Sequence, residues 1–274
     1  MKPHVDSLCV VTATTDPGRA AECMQSWIDR GHYSWPLIVE VNGYHAEPFL
    51  GVVPAFAAGL AKALETKAEV IALLHDDLEI KDDGWDATVL AHFELTQTCG
   101  LTGFGGRRTL GHPEIYTLPY EPHQLARGTF ISNMEEAEAH GARVWEPQTV
   151  ACLDGFSQIG RRAFWTGFDA AGHAQIRPNR DMACPNLFQR MADLGLVHHA
   201  YDAALGCYAR RLGWDAWMLP IHCHHLGGVT AVADTRYHAW AKTQHPQGDE
   251  GFWHDAHKIV YDEFRDVLPF GVLP

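Results

Sequence analysis

The sequence predicts an α/β protein with a mostly parallel central sheet and helices on both faces. Three observations carry this expectation. Apolar runs of strand length recur at Leu8–Thr12, Leu37–Val41 and Val70–Leu74. Stretches of helical length and composition alternate with them, as parallel sheets require for their crossovers. The chain has 274 residues, 46% hydrophobic and 20% charged, which suits one domain with a sizeable core.

The elements follow in order. Leu8–Thr12 reads as a buried strand and runs into Thr14-Thr15-Asp16-Pro17-Gly18, a turn that offers a helix N-cap and a Pro near the first helical turn. A helix over Arg19–Asp29 follows and stops at Gly31. The second strand, Leu37–Val41, ends in Asn42-Gly43, and the Ala-rich stretch Pro54–Glu65 reads as a helix. The third strand, Val70–Leu74, ends in His75-Asp76-Asp77, and Gly84-Trp85 opens a helix to about Thr96. Residues 105–150 lack a clear period and read as a long excursion with a short helix near Asn133–His140. Long segments of this kind usually carry function. Regularity returns over Val150–Gly160 and Phe164–Asp169. Helices are expected over Asp181–Leu194 and from Tyr201-Asp202 to near Gly213, then a strand over Trp214–Pro220. Apolar residues at helical spacing mark a last helix over Trp253–Val267, with Trp253 and Phe264 expected in its packed face. No repeat or linker divides the chain.

Acidic residues number 34 and basic residues 21, a formal charge of −13. Such a field repels phosphate backbones and argues against a general nucleic-acid binder. A local groove built from Arg107, Arg108, Arg127, Arg161 and Arg162 stays open. Seven scattered cysteines without a CxxC pair fit reduced thiols in the cytoplasm better than a disulfide framework. No apolar run reaches the ~18 residues that span a bilayer. Eighteen histidines are unusual, although surplus histidines are mostly surface or hydrogen-bonded residues.

Ligands of parallel sheets lie beyond the carboxyl ends of the strands. Thr12-Ala13-Thr14, Asn42 and His75-Asp76-Asp77 all fall at such ends. Adjacent carboxylates there can hold Mg²⁺ or Mn²⁺, or form a solvated turn. Cys152-Leu153-Asp154-Gly155-Phe156, followed by Arg161-Arg162, reads either as a strand and turn with surface charges or as part of an acceptor site. Tyr201-Asp202 puts a carboxylate at a helix start, where capping competes with catalysis. His222-x-His224-His225-x-Gly227-Gly228 brings imidazoles to a strand end; a zinc site with Cys223 lacks the second ligand pair it would need.

Taken in order, these segments resemble glycosyltransferase family 2, the inverting enzymes of GT-A (Rossmann-like) fold. The resemblance runs from about Leu8 to Gly228. Leu8 to Thr14 looks like the first strand and nucleotide loop, and Leu73 to Glu79 like the DxD-type metal segment. Asp154-Gly155-Phe156 to Asp169 is similar to the acceptor-side signature. Tyr201-Asp202 with Arg210 to Trp214 is similar to the helix carrying the catalytic acid, and His224 to Gly228 to the late histidine motif. His75 stands where the family usually has Asp, and Glu40-Val41-Asn42 where an Asp is usual.

The resemblance implies a single GT-A domain over residues 1–274. Residues up to about 100 would bind the nucleotide sugar, those from about 101 to 228 the acceptor, and 229–274 would form a C-terminal tail and helix that folds over the bound donor, as in ligand-induced closure. It implies a nucleoside diphosphate sugar donor, UDP-linked first, held by Thr12, Ala13, Thr14, Asn42 and Asp76. Asp77, with His225 or His224, would hold Mn²⁺ or Mg²⁺. Asp154 and Gly155 would meet the acceptor, a glycan or protein first and a modified nucleic acid next. Asp202 would take the acceptor's proton. A metal-dependent nucleotidyltransferase and a non-catalytic binding module are the alternatives.

Overall fold

A computed structural model describes residues 2–42, 49–117, 119–125, 130–133, 143–173, 186–226 and 235–272. Its strands are β1 (Leu8–Thr14), β2 (Leu37–Val41), β3 (Val70–Leu74), β4 (Leu78–Ile80), β5 (Cys99–Gly103), β6 (Gly105–Arg107), β7 (Thr109–Leu110), β8 (Phe130–Ser132), β9 (Gln148–Val150), β10 (Cys152–Leu153), β11 (Ser157–Arg161), β12 (Asp215–Met218), β13 (Cys223–His225) and β14 (Phe270–Gly271). Its α-helices are α1 (Pro17–Arg30), α2 (Val52–Leu64), α3 (Trp85–Leu95), α4 (Arg162–Trp165), α5 (Leu187–Asp193), α6 (Tyr201–Arg211), α7 (Thr235–Gln244) and α8 (Asp249–Glu263).

The central sheet has seven strands in the order β2-β1-β3-β11-β5-β12-β9. β1, β2, β3, β5 and β12 run one way, while β11 and β9 run the other. The sheet is therefore mixed, with parallel strands predominating. Alternation along the strands explains why both faces are covered. Cys9, Val11, Ile71 and Leu73 pack on one side with Phe56 and Leu60 of α2 and Tyr208 of α6. Leu8, Val10, Ala72 and Leu74 pack on the other with Trp27 of α1 and Trp85, Val89 and Phe93 of α3.

Local signals set the first half of the chain. Asp16 caps α1 by accepting from the Gly18 and Arg19 N–H groups, and Pro17 occupies its first turn. The link from α1 to β2 is held by Asp86, fully buried at the start of α3. Its carboxylate accepts from His32 N–H (2.7 Å), Tyr33 N–H (2.9 Å) and Trp35 Nε1 (3.0 Å). Asp86→Ala strands these donors and should destabilise the fold by roughly 3–5 kcal/mol in urea denaturation; a change under about 1 kcal/mol would contradict that role.

The second half departs more from expectation. The regular stretch anticipated over Val150–Gly160 is three strands, β9, β10 and β11, in three different pairings. Phe164 lies in the short helix α4 and not in a strand. Helix α5 begins at Leu187, capped by the Asn186 side chain; residues 181–185 lie outside the described residues. So does the helix expected over Asn133–His140, apart from Asn133 itself. That residue is buried, donating to Leu219 O (2.8 Å) and accepting from Val144 N–H (3.1 Å). The terminal helix starts at Asp249, earlier than expected, and α7 precedes it. Cys9, Cys23, Cys99, Cys152, Cys207 and Cys223 are buried thiols in no disulfide, and Cys184 lies outside the described residues. Among the described residues no helix is long and apolar enough to cross a membrane.

Candidate functional site

A cavity of about 340 Å³ opens beyond the carboxyl ends of β1, β2 and β3. Ala13, Thr14, Asn42, His75, Asp76 and Asp77 line it, and so do Asp154, Gly155, Tyr201, Asp202 and His225. The sheet therefore brings most of the residues singled out in the sequence to one place. Its size falls in the range of small-molecule sites.

The floor is a triad of His75, Asp77 and His225, whose ligand atoms lie within 4.8 Å of one another. After β3 the chain turns, closed by Leu78 N–H on His75 O, and enters β4 directly. β13 pairs antiparallel with β4, setting His225 opposite Leu78, and Leu226 N–H donates to Asp77 O (3.0 Å). That register delivers His225 beside Asp77. His225 Nε2 approaches Asp77 Oδ1 at 3.0 Å, and His75 Nδ1 at 3.8 Å. The 3.0 Å ion pair is poorly aligned as a hydrogen bond, and neither atom has another hydrogen-bond partner among the described residues. Two buried donor atoms left in this state, with a second imidazole beside them, suit a divalent cation.

The charges are set by burial and by each other. Burial works against an Asp77 carboxylate, yet His225, then His75 and Arg19, outweigh it and hold its pKa down at about 2. Burial likewise works against a charged His225, and Asp77 overcomes it and raises the pKa. Burial lowers His75 to about 4 despite Asp77, so its ring is neutral near pH 7 with a lone pair to offer.

Asp76 points elsewhere. Its Oδ2 accepts from Thr14 Oγ1 (2.6 Å) and Arg19 Nη2 (2.9 Å), and burial raises its pKa despite both partners. The adjacent carboxylates are thus not a joint ligand pair. Thr12 is fully buried and absent from the lining, so it does not meet a ligand as expected. Asn42 does reach the cavity, but its amide is engaged by Gly51 O (2.9 Å) and Leu50 N–H (2.8 Å), tying down the start of α2. His224 points away from His225 along β13, opposite Glu79, and is not part of the triad.

Two further carboxylates face the triad's cavity, Asp154 and Asp202. Asp202 opens α6, behind Ala200 in the left-handed region (φ 60°), a conformation that costs a non-glycine residue about 1 kcal/mol. Gly206 lets that helix close on β10, since a Cβ there would overlap the Cys152 side chain. The approach sets Asp202 near Asp154, which follows β10. Burial raises the Asp154 pKa, and Asp202 adds to it.

Phe49, His198 and His199 were not foreseen in the lining; Arg107, one of the arginines of the possible groove, and Trp253 and His257 of the C-terminal tail also line the cavity. Trp253 is a cavity residue, its ring centroid 4.0 Å from that of His257, while Phe264 is core as expected. His199 Nε2 meets Asp249 Oδ1 (2.8 Å), and the Tyr237 hydroxyl donates to the same oxygen, clasping α7 and α8 to the cavity wall. None of these residues carries a local motif. The basic groove left open by the sequence is not formed by Arg161 and Arg162. Arg161 donates to the Cys99 and Thr96 carbonyls, and Arg162 to the Leu64, Thr66 and Ala68 carbonyls, so both brace helix ends. Arg108 pairs with Gln148, and Arg127 lies outside the described residues.

No family model and no curated protein matches this chain. Among solved structures, the crystal structure of A197 from STIV is similar over 80% of this chain and 85% of its own, at 10% identity and a TM-score of 0.40. A likeness at that level carries no argument here, and the function rests on the site itself.

Proposed function

We propose that this chain is a GT-A glycosyltransferase that moves a sugar from a nucleoside diphosphate sugar to an acceptor hydroxyl with inversion. The observation that carries the reading is the His75–Asp77–His225 triad in a cavity that also holds Asp202 and Asp154. A divalent ion held by the triad would offset charge on the departing diphosphate. Two imidazoles and one carboxylate favour Mn²⁺ over Mg²⁺, which prefers all-oxygen sites.

The chain's own residues supply the rest. Ala13, Thr14 and Thr15 face the donor at the strand ends, with Asn42 shaping the wall that carries Phe49 and Val52. Asp202 accepts the proton of the attacking hydroxyl, and Asp154 holds the acceptor beside it. The engagement of Arg161 and Arg162 inside the fold, with the formal charge of −13, supports a glycan or protein hydroxyl over nucleic acid. The buried thiols, in no disulfide, support a reducing, cytoplasmic setting.

The test is thermal stability against a panel of nucleoside diphosphates and nucleotide sugars, each with and without Mn²⁺. A ligand at ~100 times its dissociation constant adds ~2.7 kcal/mol. The expected result is a Mn²⁺-dependent shift with one base, uridine first. No shift with any nucleotide, in folded protein, overturns the proposal.

A further inference from the structure

Resting on that metal-site reading, we infer that the Tyr201 hydroxyl is the group that positions His75 as a metal ligand, and that residue 155 is glycine to admit it. Tyr201 Oη lies 2.6 Å from His75 Nε2. With that nitrogen engaged, Nδ1 is the one turned towards Asp77. An imidazole offers a metal one lone pair, and the partner of its other nitrogen decides which. When Nδ1 is the ligand, Nε2 carries the proton and donates it to the Tyr201 oxygen.

The rings on both sides restrict movement. His75 stacks near Phe56 (centroids 6.1 Å, 23° between planes) and faces the His225 ring at 5.6 Å. Tyr201 packs on Phe188 at 5.8 Å. A Cβ at Gly155 would overlap the Tyr201 hydroxyl, so any side chain there displaces the group that holds His75. Gly155, expected from the sequence to meet the acceptor, thereby acts through Tyr201 on His75. Tyr201 also neighbours Asp202 in the first turn of α6, so one helix start sets both a ligand's orientation and the proposed base.

The experiment is a Mn²⁺ titration of the full chain by electron paramagnetic resonance, without donor or acceptor, alongside metal-free melting temperatures. Groups that orient a metal-bound histidine typically change affinity by 10–100-fold. Tyr201→Phe keeps the packed ring, and is expected to weaken Mn²⁺ binding by about that factor with little change in metal-free melting. Gly155→Ala is expected to weaken it in the same direction with the hydroxyl still present. Unchanged affinity in both variants, with the wild type binding, overturns the positioning role and leaves the metal site standing. Lower metal-free melting with unchanged affinity does the same, by assigning the hydroxyl a purely structural task. A wild-type chain that binds no Mn²⁺ overturns the metal-site reading and this inference with it.

Discussion

Asp77→Ala is expected to abolish metal-dependent donor binding. Asp77 is the one carboxylate of the triad, and its neighbours hold it ionised at any pH near neutrality. Its removal leaves two imidazoles in a half-buried site with no anion to offset the charge of a cation. Loss of a direct ligand should exceed the 10–100-fold typical of groups that merely orient one, so Mn²⁺ affinity should fall by at least ~100-fold. Turnover should fall with it, because the metal stabilises the leaving group directly. Calorimetric titration with Mn²⁺, then with Mn²⁺ plus nucleotide, reads both effects. Wild-type affinity in the variant would remove Asp77 from the site. The pH dependence has a definite sign. Asp77 raises the proton affinity of His225, so a metal arriving at Nε2 must displace a proton, and apparent affinity falls as pH is lowered.

Asp202→Asn should separate chemistry from binding. Amide and carboxylate have nearly the same shape, so the start of α6 and the cavity wall are preserved. A positioned general base contributes ~10²–10⁴-fold, and turnover should drop by that order while Mn²⁺ and nucleotide affinities stay within a few-fold. Asp154 is the informative control. Burial makes it more basic than an ordinary carboxylate, a property suited to a base. If Asp154→Asn loses turnover on that scale and Asp202→Asn does not, the proton goes to Asp154 and the assignment made here is wrong.

The first half of the chain was readable because its elements are set locally. β3 is an uninterrupted apolar run, β1 and β2 are largely apolar, and Asp16-Pro17 and Gly31 bracket α1. The location of the site was readable for the same reason, since ligands collect at strand ends. Its ligands were less so. His75-Asp76-Asp77 reads as a carboxylate pair preceded by an odd histidine, whereas the turn sends Asp76 to Thr14 and Arg19 and keeps His75 and Asp77 together. Only the pairing of β13 with β4 chooses His225 over His224, although alternation along a strand already says that both cannot face one ion. Phe49, His198, Trp253 and His257 reach the cavity through packing between distant segments, which no local pattern announces. The reversal of β11 was hidden too, because Ser157–Arg161 is a short mixed segment with no periodicity that encodes strand direction.

The triad draws two ligands from the end of the third strand and the last from near the close of the chain. An ion seated there is a cross-link as well as a cofactor. It joins segments roughly 150 residues apart and, by binding the folded chain alone, stabilises it by mass action. The early and late segments are otherwise tied at this point by the two short strands β4 and β13. Metal supply would then govern how firmly the late segment, with the histidines and α6 that complete the cavity, is held against the early one. Scarcity of the ion would loosen the architecture of the site as well as silence it.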